Sequence, residues 1–77
     1  MRAADESLDL TGVPCPQNAA RTLLRLGGMD EGEVLKIILD DGEPIELVPE
    51  SLEEEDYPIL ERVQLDDGRW ALWIEAY

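Results

Sequence analysis

The one nucleophilic sulfur in the 77-residue chain is Cys15, set between two prolines in Val13-Pro14-Cys15-Pro16-Gln17-Asn18. With one cysteine and no histidine, neither a Cys-His pair nor an ordinary zinc site can be assembled within the chain. A lone cysteine also forms no internal disulfide, so in a reducing compartment Cys15 is a free thiol. What remains is carboxylate chemistry. Asp40-Asp41 and Asp66-Asp67 stand in pairs, but each pair precedes a glycine and lacks the spaced ligand ladder of a calcium loop. These aspartates are read as turn formers, and neither a metal nor a cofactor is expected.

Charge and length narrow the function further. Nineteen Asp and Glu against six Lys and Arg give a net charge of −13, which opposes attraction to phosphate backbones. No direct contact with nucleic acid is expected. The acidity suits solubility or a high-salt habitat, or else a basic partner. No apolar run approaches the roughly 20 residues that cross a bilayer, and Met1 to Glu6 lacks a signal-peptide core. The expected location is therefore the cytoplasm, with no membrane contact. One domain over residues 1–77 fits a chain this short, with residues 1–6 as a flexible lead-in. So small a core leaves room only for a shallow cleft, which favours chemistry shared with a partner protein.

The elements that must position the thiol follow from periodicity. Leu8 and Leu10 alternate with Asp9 and Thr11 as in a half-buried strand, closed by Gly12. Proline favours the first helical position and pushes the residue before it out of the helical region, so Cys15 is expected at the N-cap of a helix. Ala19, Ala20, Leu23 and Leu26 form that helix's apolar face and Gly27-Gly28 its stop. Glu33 to Leu39 reads as a central strand. A second helix begins near Pro44, with Ile45, Val48 and Leu52 on one face, and a kink or break is expected at Pro49. Ile59 to Leu65 and Arg69 to Glu75 form a hairpin about Asp66-Asp67-Gly68. The order β-α-β-α-β-β predicts an α+β fold, a two-layer α/β sandwich in which a mixed four-stranded sheet carries two helices on one face. Trp70 and Trp73 must then lie on opposite faces of the last strand, with Trp73 on the outer one either as an interaction patch or as an ordinary exposed aromatic.

The stretch Leu8-Asp9-Leu10-Thr11-Gly12-Val13-Pro14-Cys15-Pro16-Gln17-Asn18 resembles the strand-to-helix signature of the TusA-like (SirA-like) sulfur carrier family, whose core is Cys-Pro-X-Pro. Cys15 and Pro16 match it, whereas Asn18 replaces the second proline, giving Cys-Pro-X-Asn. The likeness continues through Arg21, Gly32-Glu33-Val34-Leu35, Asp40-Asp41-Gly42-Glu43-Pro44 and Val48-Pro49. It implies a persulfide relay. Cys15 would accept sulfane sulfur from a cysteine desulfurase or another sulfur donor protein and pass it to a downstream sulfur-accepting protein, in tRNA thiolation or other sulfur trafficking. Such a chain is a sulfurtransferase-type carrier rather than a self-contained turnover enzyme.

Physical reasoning gives the same residues their roles. A helix N-terminus favours an anionic sulfur at its cap, the surrounding carboxylates oppose it, and Arg21 one turn into the helix offsets them. Pro16, Asn18 and Arg21 are thus the supporting residues around Cys15. Asn18 either hydrogen-bonds the sulfur or fills the first turn. Arg21 and Arg25 either form a basic stripe or pair with carboxylates of the chain. Against the carrier stand a thiol-independent interaction or regulatory module on the same fold, a redox-sensing thiol, and a cysteine that is merely a small buried apolar residue.

Overall fold

A computed structural model describes residues 3–77. The elements are β1 (Glu6–Asp9), α1 (Gln17–Gly27), β2 (Val34–Leu39), α2 (Glu43–Glu54), β3 (Ile59–Gln64) and β4 (Trp70–Glu75). They form one four-stranded sheet in the order β1-β2-β4-β3. β1 and β2 are parallel, a pairing that needs a long crossover, and α1 supplies it. β4 inserts between β2 and β3 and runs antiparallel to both. The expected α+β order and the mixed sheet are therefore both present. No helix among the described residues is long and apolar enough to cross a membrane.

Alternation along the strands decides what faces the helices. Leu35, Ile37 and Leu39 of β2 and Leu72 and Ile74 of β4 are buried together with Leu10, Leu26, Met29, Ile45, Val48 and Leu52 in one core. The intervening residues face the other side of the sheet, where Lys36 sits opposite Trp73 with its Nζ 5.4 Å from the ring centroid. Trp73 does lie on the outer face as expected, but it is not exposed. Only 1% of its surface is accessible, and the Lys36 ammonium stands over its ring. Trp70 lies toward the core, its Nε1 donating to Asp41 Oδ1 at 2.9 Å and the Arg62 guanidinium over its ring.

Three expectations change. Of the residues read as a lead-in, Met1 and Arg2 lie outside the described residues, while Asp5 and Glu6 are tied to β2: Asp5 N–H donates to Val34 O, and Val34 N–H to Asp5 Oδ2. Of the kink or break expected at Pro49, the break does not occur: α2 runs through it as one helix. Burial of Ile45, Val48 and Leu52 in the core shared with the sheet, at about 1.5–3 kcal/mol for each large side chain, outweighs the roughly 3 kcal/mol that an interior proline costs. Finally, the buried stripe of α1 comprises Asn18, Ala19, Thr22 and Leu26, with Ala20 exposed. Two polar residues enter the core because both are satisfied there, as described below.

Candidate functional site

The chain from β1 to α1 is held by side chains that short strands and turns bring within reach. Asp9 Oδ1 accepts both the Thr11 N–H and the Thr11 hydroxyl, at 3.0 and 2.6 Å. Those bonds, with help from Arg69, hold the Asp9 carboxyl below its ordinary value. Gly12, at φ +77°, donates its N–H to Asp40 Oδ2 at 2.7 Å. Asp40 therefore does more than turn the chain after β2: it anchors the loop that leads to the thiol.

Cys15 lies one residue before the helix cap rather than at it. Pro16 is the N-cap, Gln17 the first helical residue, and the cap residue's own side chain makes no capping hydrogen bond. The Asn18 N–H reaches back to Pro14 O at 3.1 Å and the Ala20 N–H to Pro16 O at 3.0 Å, closing the turn around the cysteine. Cys15 is a half-buried free thiol.

Asn18 answers the question its position posed. Its side chain is fully buried, and Nδ2 donates to Cys15 Sγ at 3.1 Å. The orientation of the amide is fixed by its other end, since Oδ1 accepts the Ala19 N–H at 2.7 Å, which leaves Nδ2 for the sulfur. Thr22 Oγ1 donates to Asn18 O at 2.8 Å, so the second polar residue of the stripe is satisfied on the same turn.

The thiol opens onto a cleft of about 210 Å³ between the start of α1 and the exposed side of α2, lined by Cys15, Pro16, Asn18, Ala19, Leu47, Val48, Glu50, Ser51 and Glu54. The α2 wall escaped sequence reasoning. Its signal is the spacing 47, 50, 51, 54, a stripe beside the buried 45, 48, 52 stripe and visible only once both helices share one face of the sheet. Pro16 and Asn18 thus join Cys15, but Arg21 does not. Arg21 lines a separate groove of about 460 Å³ with Glu6, Leu8, Leu24, Arg25 and Gly28. Arg25 pairs there with Glu6 at 3.0 Å, whereas Arg21 makes no ion pair among the described residues. No group of three or more Cys, Asp or Glu suited to a metal occurs among the described residues.

This arrangement of strand, tethered loop, half-buried cysteine and short helix coincides with clear relationships to known proteins. The family model described as Sulfurtransferase TusA matches residues 6–76. A protein of Archaeoglobus fulgidus named "putative sulfur carrier protein" is 33% identical over 72 residues, spanning 94% of this chain and 82% of that protein. The similarly named YedF of Escherichia coli K12 is 32% identical over 57 residues, 74% of each chain. A Thermotoga maritima protein of the same name is 27% identical over 71 residues, 92% of this chain and 90% of its own. With nearly its whole length matched and the cysteine loop inside the match, the chain belongs to the TusA sulfurtransferase family.

Proposed function

We propose that the chain is a cytoplasmic sulfur carrier that holds sulfane sulfur as a persulfide on Cys15, between a cysteine desulfurase-type donor and an accepting protein. The observation that carries the reading is the half-buried Cys15 Sγ at the rim of a cleft, with the Asn18 amide aimed at it. The names of the relatives supply the cargo. The chemistry needs no cofactor and no net redox change. The Cys15 thiolate attacks the terminal sulfur of the donor's persulfide, a new S–S bond forms on Sγ, and the donor's own S–S bond breaks with the electron pair leaving on its cysteine. An acceptor thiolate then repeats the attack on the terminal sulfur, and Cys15 departs as thiolate. Asn18 Nδ2–H serves Sγ as attacking and as leaving group, because an N–H donor to sulfur strengthens as the sulfur gains charge. Pro16 shapes the cleft wall beside it. Arg21, away from the cleft, is a candidate contact for a partner's surface rather than for the sulfur.

Intact-mass spectrometry after incubation with a cysteine desulfurase and cysteine tests this reading, with Cys15→Ala in parallel and reductant added to half of each sample. A reducible gain of one sulfur atom, absent from Cys15→Ala, is the expected result. No gain, together with a thiol that resists alkylation, overturns it in favour of a thiol-independent interaction module.

A further inference from the structure

The cleft beside Cys15 has two kinds of wall. Pro16, Ala19, Val48 and Leu47 are apolar, and Leu47 remains 42% exposed although large and hydrophobic. Glu50 and Glu54 stand one helical turn apart on α2, both exposed, and neither makes an ion pair among the described residues. Their position is electrostatically unfavourable in the isolated chain. Like charges four residues apart on a helix repel, and the last turn of α2 has no basic residue although the helix dipole calls for one. The described cations are engaged elsewhere or distant from the cleft. Lys36 and Arg62 lie over the two tryptophans, Arg25 and Arg69 pair with Glu6 and Asp67, and Arg21 faces the other groove.

An apolar trough ending in two unneutralised carboxylates, with a thiol on its rim, complements one kind of segment. We infer that the cleft docks a loop of the sulfur-donating protein that places an apolar side chain beside its persulfide-bearing cysteine and a lysine or arginine just beyond it. The inference rests on the proposed carrier role, and it makes Glu50 and Glu54 the residues that select the donor. The apolar side chain fills the trough against Leu47, and the cations meet the two glutamates. Attraction between opposite patches raises the encounter rate and fixes register more than it adds to affinity.

Two synthetic peptides test this without the natural donor. Both carry leucine followed by a cysteine activated as its thionitrobenzoate disulfide; in one the cysteine precedes two lysines, in the other two glutamates. Attack by the Cys15 thiolate forms the protein–peptide disulfide and expels coloured thionitrobenzoate with the electron pair, so the rate is read directly. The parent protein is expected to favour the lysine peptide by about tenfold or more at low salt. Glu50→Gln/Glu54→Gln should cut that preference about fivefold, the size expected of two exposed ion pairs. Glu31→Gln/Glu75→Gln, which changes net charge equally at positions outside the cleft, should leave it within about twofold, because screening confines the effect to about 10 Å. Leu47→Ser should slow the leucine peptides relative to glycine counterparts. A preference that survives Glu50→Gln/Glu54→Gln, or falls equally in the remote pair, overturns the inference. A preference that follows Glu50 and Glu54 supports it even where the desulfurase fails to load Cys15, a failure that counts against the carrier reading alone.

Discussion

Asn18 Nδ2 lies 3.1 Å from Cys15 Sγ, with the asparagine wholly buried and the cysteine half-buried. A buried amide of this kind is a fixed donor, because its Oδ1 is committed to the Ala19 N–H. Asn18→Leu keeps the number of side-chain heavy atoms, at some cost in bulk, and removes both the donor and the acceptor. Alkylation of Cys15 by iodoacetamide at neutral pH should slow by about threefold or more, since donors to a charged acceptor contribute more than neutral ones. Stability should fall by about 1–2 kcal/mol from the unsatisfied Ala19 N–H. Unchanged alkylation in a folded variant would show that the amide serves the helix alone.

The loop before the thiol hangs on Asp40, whose Oδ2 takes the Gly12 N–H at 2.7 Å. Asp40→Ala should cost about 1 kcal/mol in urea denaturation. Gly12→Ala tests the other partner by a different route. An added Cβ meets nothing within 4 Å, but φ is +77°, so the cost is one of backbone conformation alone, again about 1 kcal/mol. A cost several times larger would indicate that the loop is packed rather than tethered.

What could be read from the sequence was whatever repeats along the chain. The alternation of Leu8 and Leu10, the β2 run and the Asp-Gly hairpin gave the element order, and Pro14-Cys15-Pro16 gave the thiol's place before a helix. What escaped reading depends on contacts between distant segments. Pro49 stays inside α2 because three neighbours on the same face are buried, which no local rule weighs. Trp73 is buried on the outer face, with Lys36 of the adjoining strand over its ring. Arg21 looked close to Cys15 along the helix, yet at six residues' separation it turns toward β1 and the other groove. The α2 wall of the cleft needed the packing of one helix against another.

Trp73 offers a test of the outer sheet face. Its indole Nε1 is buried without an acceptor among the described residues, a penalty of about 1–3 kcal/mol. Trp73→Phe loses contact area but also removes that orphaned donor, so its net cost should be below about 1.5 kcal/mol. Trp73→Ala should cost about 3–5 kcal/mol. A Phe variant nearly as unstable as the Ala variant would mean that the indole N–H does have a partner in solution.

Asp9 and Asp67 contribute to the acid limb of stability. The Thr11 hydroxyl and N–H, with Arg69, hold the Asp9 carboxyl below 3.8, and the N–H and guanidinium of Arg69 do the same for Asp67. A carboxyl lowered in the folded state contributes stability above its unfolded value, and that contribution is lost as pH falls through the folded value. Asp9→Asn/Asp67→Asn should therefore be less stable than the parent at pH near 6, and the gap should close as pH falls below 3.8. Comparing the two proteins removes the general effect of protonating the other carboxylates. A gap that stays constant down to strong acid would mean that neither carboxylate's ionisation contributes.

The C-terminal turn of α2 separates a cost of folding from a requirement of function. Glu53 occupies that turn beside Glu54, opposing the helix dipole, but does not line the Cys15 cleft. Glu53→Arg reverses the unfavourable term and should stabilise the fold by about 0.3–1 kcal/mol, with a gain that shrinks as salt is added. Glu54→Arg corrects the same dipole and should stabilise the fold to a similar extent, yet it places a cation in the proposed docking trough. Thermal denaturation should rank the two variants alike, while exchange of Cys15 with the lysine peptide should slow in Glu54→Arg much more than in Glu53→Arg. That divergence would show that the carboxylate at position 54 is kept for the cleft against the preference of the helix. Equal exchange in the two variants would reduce Glu54 to one more surface charge on a chain of net charge −13.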